Sequence, residues 1–222
     1  MTLRTLSLLE SRVLGVLIEK AHTVPDSYPL SLNTLALGCN QKTARDPVIN
    51  VTEADVLMAV DALKSLNLAF ESSGSRVSRY EHNFGRALGL PSQSVALLAV
   101  LMLRGPQTTS ELRINSERLH RFADLSAVEG FLDELATRAD DKGGALVVKL
   151  ARNAGEREPR WAQLLCGVVA AAAKAVDGGS PEFVATSELV ALKAQHAALQ
   201  LEVDELRALV DKLYAELGVA RQ

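Results

Sequence analysis

Apolar residues recur at helical spacing in three stretches of the first half of the chain, and the helices so predicted cover residues 7–21, 31–39 and 52–66. Ser7, followed by Glu10 three residues later, has the pattern of a capping box, and Thr52 is placed to cap the third helix. Beyond these helices, residues 69–71 and 76–82 have the pattern of two strands around a serine-rich turn. The first half is therefore predicted to fold as three helices followed by a β-hairpin.

The second half of the chain repeats this order. Helices are predicted over residues 92–103, 109–119 and 126–138, with Thr109 or Ser110 capping the middle one, and strands over residues 145–150 and 160–165. In both halves a basic residue precedes an aromatic residue on the last strand, as Arg79-Tyr80 and as Arg160-Trp161. Three helices followed by a hairpin is the winged-helix arrangement. We therefore predict a mainly α fold with small β-hairpins, made of two tandem winged-helix domains at residues 1–90 and 91–166.

A heptad pattern near the C-terminus predicts a different kind of element. An Ala/Gly-rich linker is predicted over residues 167–183 and a coiled-coil helix over residues 184–219, with the core positions Leu189, Leu192, His196, Leu199, Val203, Leu206, Val210 and Leu213. Leucine at one core position of the heptad and valine at the other favours a coiled coil of two parallel helices, and hence a homodimer. The alternative is that this helix folds back onto the domains of its own chain.

Charge and hydropathy narrow the class of protein. The formal net charge is −3, yet residues 1–90 hold nine basic and nine acidic residues, and residues 91–165 hold ten of each. Two neutral domains are not typical of a strongly basic nucleic-acid-binding protein. No apolar stretch reaches the roughly 18 residues of a transmembrane helix, and the N-terminus has no signal-peptide pattern. We expect a cytoplasmic protein without membrane contacts.

Patterns that would indicate catalysis or cofactor binding are missing from the sequence. The four histidines have no carboxylate or cysteine at metal-ligand spacing. Glycine-rich phosphate loops and the nucleophile elbow of hydrolases are also missing. Cys39 and Cys166 are isolated from each other and from other ligand types. We expect no enzymatic activity, no cofactor and no metal site.

The candidates for nucleic-acid contacts are polar and basic residues before the third helix and on the first wing, which is the predicted hairpin of the first domain. They are Asn40, Gln41, Lys42, Arg45, Arg76 and Arg79. Lysine and arginine would bind phosphate, and the amides would bind a base edge or phosphate. The third helices themselves carry carboxylates that would repel phosphate, namely Glu53, Asp55, Asp61, Glu129, Asp133 and Glu134. The alternative for the polar loop is that its own hydrogen bonds tie the second helix to the third.

Several motifs resemble those of the YceH-type family of uncharacterised bacterial proteins. The resemblance is carried by residues 17–20, 25–33, 39–42, 45–48, 75–77 and 80–82, and it spans residues 5–165. It implies tandem winged-helix domains in a cytoplasmic bacterial protein. It implies no established activity, because the family is functionally undefined. The shared fold does not by itself define a function.

Two functions of different classes follow from these observations. The first is a dimeric DNA-binding protein of transcription-regulator type, with double-stranded DNA as its partner. The alternative is a protein–protein adaptor that is built on tandem winged helices and does not read DNA; its protein partner is not identified by the sequence. The basic loop and wing favour the first function, whereas the neutral domains and acidic third helices favour the second.

Overall fold

The computed structural model describes residues 3–72, 77–152 and 158–167. In this part of the chain helices predominate, and the strands form two antiparallel sheets of three strands each. The expectation of a mainly α fold with small β elements is therefore confirmed. The predicted coiled-coil helix and all of the predicted linker except Gly167 lie outside the described residues.

In the described residues, the first repeat contains three α-helices and three strands. They are α1 (Leu8–Thr23), β1 (Leu30–Ser31), α2 (Leu32–Cys39), α3 (Glu53–Ser65), β2 (Ala69–Ser72) and β3 (Arg79–His82). Strand β3 is central in the sheet order β1-β3-β2, where Tyr80 lies opposite Leu30 on one side and Glu71 on the other. The sequence did not predict β1, since two residues are too few to show an alternating pattern.

The second repeat has the same element order. A short helix, α4 (Phe84–Leu88), precedes α5 (Ser92–Arg104), β4 (Gln107–Thr108), α6 (Thr109–Asn115), α7 (Leu125–Ala136), β5 (Val147–Lys149) and β6 (Arg160–Gln163). The sheet order is β4-β6-β5, and Trp161 lies opposite Gln107 as Tyr80 lies opposite Leu30 in the first repeat. The predicted correspondence of Tyr80 and Trp161 is thus confirmed.

Side-chain caps fix where the helices begin. The Ser7 hydroxyl accepts the backbone N–H of Glu10 at 3.1 Å, and the Glu10 carboxylate accepts the backbone N–H of Ser7 at 2.7 Å. The predicted capping box is therefore formed, and Thr52 and Asp55 form a second one at α3. Each box satisfies backbone donors that a helix start leaves without partners.

The predicted cap of α6 is wrong. Neither Thr109 nor Ser110 caps the helix; Thr108 does, because Glu111 stands three residues after it and completes another capping box. The helix also ends at Asn115, before the predicted end at residue 119. Pattern alone fixes a helix start only to within a residue or two.

Helices α1 and α5 pack against each other, so the two repeats share one hydrophobic core. Leu14, Leu17 and Leu98 on these helices are completely buried. A Cβ added at Gly15 would lie 3.0 Å from the Leu103 side chain, which shows how closely the helices approach. Both repeats belong to one compact unit, and the predicted boundary between residues 90 and 91 falls in the turn between α4 and α5.

Candidate functional site

Asn40, which follows the last residue of α2, holds the loop that leads to α3. Its side-chain N–H donates to the Val51 carbonyl at 2.8 Å, and its side-chain oxygen accepts the Val51 N–H at 2.9 Å. Both ends of the amide are therefore occupied by the backbone just before α3. This contact ties the second helix to the third, as the structural alternative for the loop predicted.

Arg45 is also turned inward. Its side chain is 0% exposed, and its guanidinium donates two hydrogen bonds to the Glu19 carboxylate, at 2.6 and 3.1 Å. A third hydrogen bond reaches the Gly38 carbonyl at 3.1 Å. Burial by itself would raise the pKa of Glu19, but the hydrogen bonds and charge of Arg45 reverse this effect and hold the pKa below its ordinary value. In this arrangement the Arg45 guanidinium is part of the fold and is not presented to a ligand at the surface.

Gln41 and Lys42 lie between these two anchored residues. Gln41 is half-buried and donates to the Thr43 hydroxyl at 3.1 Å. Lys42 is exposed to solvent. Of the four candidates in the loop, Lys42 is therefore the one whose position leaves it most accessible to a phosphate.

Arg79 on β3 braces the sheet of the first repeat. Its guanidinium donates to the Pro29 carbonyl at 2.8 Å, and Arg160 on β6 donates to the Pro106 carbonyl at 3.1 Å in the same way. The repetition of this contact in both repeats indicates a structural role, although Arg79 itself is exposed.

The remaining candidates lie outside the described residues. They are Arg76, in the predicted first wing, and the predicted heptad positions Leu189, Leu192, His196, Leu199, Val203, Leu206, Val210 and Leu213.

The outer face of α3 is apolar and acidic. Leu57 is 36% exposed and Met58 66% exposed, and Glu53 and Asp61 are exposed on the same helix. Lys64, the only basic residue of α3, donates to Asp61 at 3.2 Å and to Glu71 at 2.6 Å. The helix therefore presents carboxylates and apolar side chains, with its one cation neutralised.

The outer face of α7 has a similar character. Leu125 is 43% exposed, and the carboxylate residues Glu129, Asp133 and Glu134 are exposed as well. The sequence of α7 contains no lysine or arginine. Both third helices thus carry exposed carboxylates on their outer faces.

A polar cleft of about 390 Å³ lies where the two repeats meet, and the described residues that line it include three basic residues, Lys20, Arg104 and Arg118. Gln41 and Thr43 from the loop of the first repeat also line it. Sequence analysis did not predict this cluster, because Lys20 and Arg118 are far apart along the chain. Only the packing of α1 against α5 brings them together.

A second, largely apolar cavity of about 460 Å³ lies between the repeats on another side of α1. The first repeat contributes Ser11, Arg12 and Asp46 to its lining, and the second contributes apolar residues such as Leu101 and Met102. Arg12 is 3% exposed and donates to the carbonyls of Cys39 at 3.3 Å and Pro47 at 2.7 Å. Sequence analysis did not single out Arg12 either.

His82, at the end of β3, is a buried titratable group. Burial, together with the charge of the neighbouring His22, lowers its pKa to about 4. Its backbone N–H donates to the Tyr28 hydroxyl at 2.7 Å, while its Nδ1 has no hydrogen-bond partner in the described part of the chain.

Within residues 3–72, 77–152 and 158–167, no three histidine, cysteine, aspartate or glutamate side chains are grouped as metal ligands. A search of the same residues for a helix of membrane-spanning length and hydropathy found none.

By its fold, the molecule is a mainly helical protein. It has two copies of a module of helices and a three-stranded sheet, which share one core. A family model described as "Protein of unknown function, DUF480" matches residues 6–156. The chain is 60% identical to a UPF0502 protein of Paraburkholderia xenovorans over 98% of its own length and 91% of that protein. It is 61% identical, with the same coverage, to a UPF0502 protein of Burkholderia multivorans. The chain belongs to the DUF480 family, which agrees with the expected membership of an uncharacterised bacterial family.

Proposed function

We propose that this protein is a non-enzymatic, cytoplasmic adaptor in which two tandem winged-helix domains dock a protein partner through the outer faces of α3 and α7. The partner chemistry that fits these faces is a segment with apolar and basic side chains. The acidic and apolar outer face of α3 is the observation that carries the proposal.

The element order supports the winged-helix assignment. Each repeat has a helix, a short strand, two further helices and a two-stranded hairpin, with the short strand joining the hairpin to make three strands. In a DNA-reading winged helix the third helix enters the major groove and its side chains face phosphates and base edges. Here that helix would bring Glu53 and Asp61 toward a polyanion, with Lys64 already paired to carboxylates.

The composition of the α3 face fits a protein partner better. Exposed apolar side chains in a polar surround mark surfaces for protein association more often than for DNA, where the interface is basic and polar. Leu9, Asp55 and Met58 line a groove of about 220 Å³ between α1 and α3. A partner's apolar side chain would enter this groove while a basic neighbour faces Asp55 or Asp61.

Site-specific photo-crosslinking in cells tests the adaptor proposal. A photoreactive amino acid at position 58 is expected to give a discrete protein adduct, and Asp61→Lys in the same chain is expected to lower its yield by repelling the basic partner. Position 37 is the matched control, because Leu37 on α2 is 66% exposed, as Met58 is. Absence of a protein adduct at position 58, or equal adducts at both positions, would contradict the proposal.

A second candidate function, binding of double-stranded DNA, is favoured by the cleft between the repeats. This polar cleft is lined by three basic residues, Lys20, Arg104 and Arg118, together with amide and hydroxyl side chains. Lys42 is exposed in the adjoining loop. A duplex held in this way would be bound through its phosphates, with little base reading from the third helices.

Fluorescence anisotropy of a labelled duplex at 50 and 200 mM salt tests this second function. Phosphate contacts would make affinity fall steeply with salt, and Lys42→Ala with Arg118→Ala would reduce the salt slope by about one unit for each lost contact. No binding at either salt by the folded protein would exclude the DNA function and leave the adaptor proposal standing.

We further propose that the heptad segment pairs two copies of the chain. Leu199→Asp with Leu206→Asp would place charge in the coiled-coil core and is expected to convert a dimer to a monomer in sedimentation equilibrium. A wild-type chain that sediments as a monomer would favour the alternative in which this segment folds back.

A further inference from the structure

The cavity of about 460 Å³ between the repeats has the size and composition of a small-molecule site. Apolar side chains from both repeats line it, including Leu9, Ile49, Leu101 and Met102. The exposed Leu8 is also part of its lining. A ligand held there would touch both halves of the protein.

Two buried polar atoms of the residues that line this cavity have no hydrogen-bond partner within the described part of the chain. They are the Nε of Arg12 and the hydroxyl oxygen of Ser11, on residues that are 3% and 2% exposed. A buried donor or hydroxyl without a partner destabilises the folded state, because it has given up its hydrogen bonds to water. Such groups are uncommon in folded proteins, and a bound ligand, ion or water is one way in which their hydrogen bonding is completed.

The charge of Arg12 is also without a close counter-ion. The described residues place no carboxylate within 4.0 Å of its guanidinium, which donates instead to the carbonyls of Cys39 and Pro47. Burial lowers the pKa of Arg12, the neighbouring Arg45 lowers it further, and Asp46 acts in the opposite direction. A buried cation held only by carbonyl oxygens favours the approach of an anion.

We propose that the cavity between the repeats binds a small carboxylic acid with an apolar body, whose carboxylate is held by Arg12 and Ser11 and whose apolar part lies against Leu101 and Met102. Leu9 lines both this cavity and the groove beside α3, so the two sites adjoin, but binding of the acid does not depend on which macromolecule the outer faces of α3 and α7 bind. Both polar atoms are buried atoms of residues that line the cavity, so the acid reaches them only with an adjustment of the surrounding side chains. A ligand that spans both repeats would tie their relative arrangement to its own concentration.

Thermal unfolding and isothermal titration of the full-length protein test the site with defined probes. The acids are hexanoate, octanoate, benzoate and 2-naphthoate, and each is compared with its uncharged amide. At least one acid is expected to raise the Tm and to bind at least tenfold more tightly than its amide. Only the acid supplies a negative charge that can pair with the Arg12 guanidinium. If none of the four acids raises the Tm at 5 mM, or if acids and amides bind equally, the proposal is wrong.

Three variants locate the binding. Ser11→Ala removes a hydroxyl without partners, so the fold is expected to keep or gain stability while affinity for the acid falls several-fold. Asp46→Asn removes a carboxylate from the cavity lining and is expected to raise the affinity. Leu37→Ala, at an exposed position of α2 that does not line the cavity, is the control that leaves the affinity unchanged. Unchanged affinity in both Ser11→Ala and Asp46→Asn would place the acid elsewhere and overturn the assignment.

Discussion

Replacement of Glu19 by glutamine tests how firmly Arg45 belongs to the fold. The Arg45 side chain is 0% exposed and that of Glu19 is 16% exposed, and their closest atoms are 2.6 Å apart. Glu19→Gln would leave the guanidinium buried without its counter-ion. Removal of one partner from a buried pair costs about 3–5 kcal/mol, and the low end, about 3 kcal/mol, is expected because the glutamine oxygen still accepts one hydrogen bond.

Urea unfolding followed by circular dichroism measures this loss. With a denaturant dependence of about 2 kcal/mol per molar, a loss of about 3 kcal/mol lowers the unfolding midpoint by about 1.5 M. Glu71→Gln is the matched control, because Glu71 and Lys64 are also 2.6 Å apart but both side chains are about one-third exposed. Water screens that pair, so the control midpoint is expected to move little. Equal shifts in the two variants would refute the inward role of Arg45.

The lowered pKa of Glu19 also predicts that the stability of the protein depends on pH. The folded-state pKa of Glu19 is lowered, so the pair stabilises the protein above the pKa of the unfolded chain, near the ordinary 4.5. This stability is lost as the pH falls through the lower, folded-state pKa. Glu19→Gln has no such group, and its stability is expected to fall less than that of the wild type over this acidic range. A parallel pH dependence of the two proteins would contradict the assigned shift.

Three further predictions concern the loop, the helix contact and a buried histidine. Asn40→Ala removes two backbone contacts and is expected to cost about 2 kcal/mol in urea unfolding, at about 1 kcal/mol each. Gly38→Ala is expected to destabilise by about 1–3 kcal/mol, because its Cβ would lie 2.6 Å from a Val16 methyl group. Gly130→Ala, where the Cβ meets nothing within 4 Å, is the control and is expected to stabilise its helix by about 0.5–1 kcal/mol. The folded-state pKa of His82 is about 4 against 6.5 for the free side chain, so stability should fall as the pH drops from 6.5 toward 4, and His82→Gln should reduce that fall.

The helices were predictable because their starts and apolar stripes are local features of the sequence. Ser7 with Glu10 and Thr52 with Asp55 are three residues apart, and the helix starts follow from them. The strands β1 and β4 were missed because each has two residues and forms only by pairing with a hairpin strand far along the chain. Long-range pairing leaves no mark in a local pattern.

The residues of the buried ion pair and of the cavity between the repeats were harder to predict for the same reason. Glu19 lies 26 positions before Arg45, and neither residue's neighbours in the sequence show that they meet. Arg12 did leave a signal: α1 is apolar around most of its circumference, which indicates that it is buried on more than one side. A charged residue in the middle of such a helix has to be buried with it.

The arginines of this protein show why a basic residue near a wing is a weak indicator of DNA binding. Arg12, Arg45, Arg79 and Arg160 each donate to backbone carbonyls, and together they hold the loop after α2 and both sheets. A guanidinium has five donors in a planar fork, so one side chain can brace several segments at once. With the third helices carrying carboxylates outward, the outer faces of α3 and α7 are negatively charged although each repeat is neutral in sequence. The charge that a surface exposes depends on which charged side chains the fold pairs internally, and in this protein the outer faces of α3 and α7 are acidic and apolar.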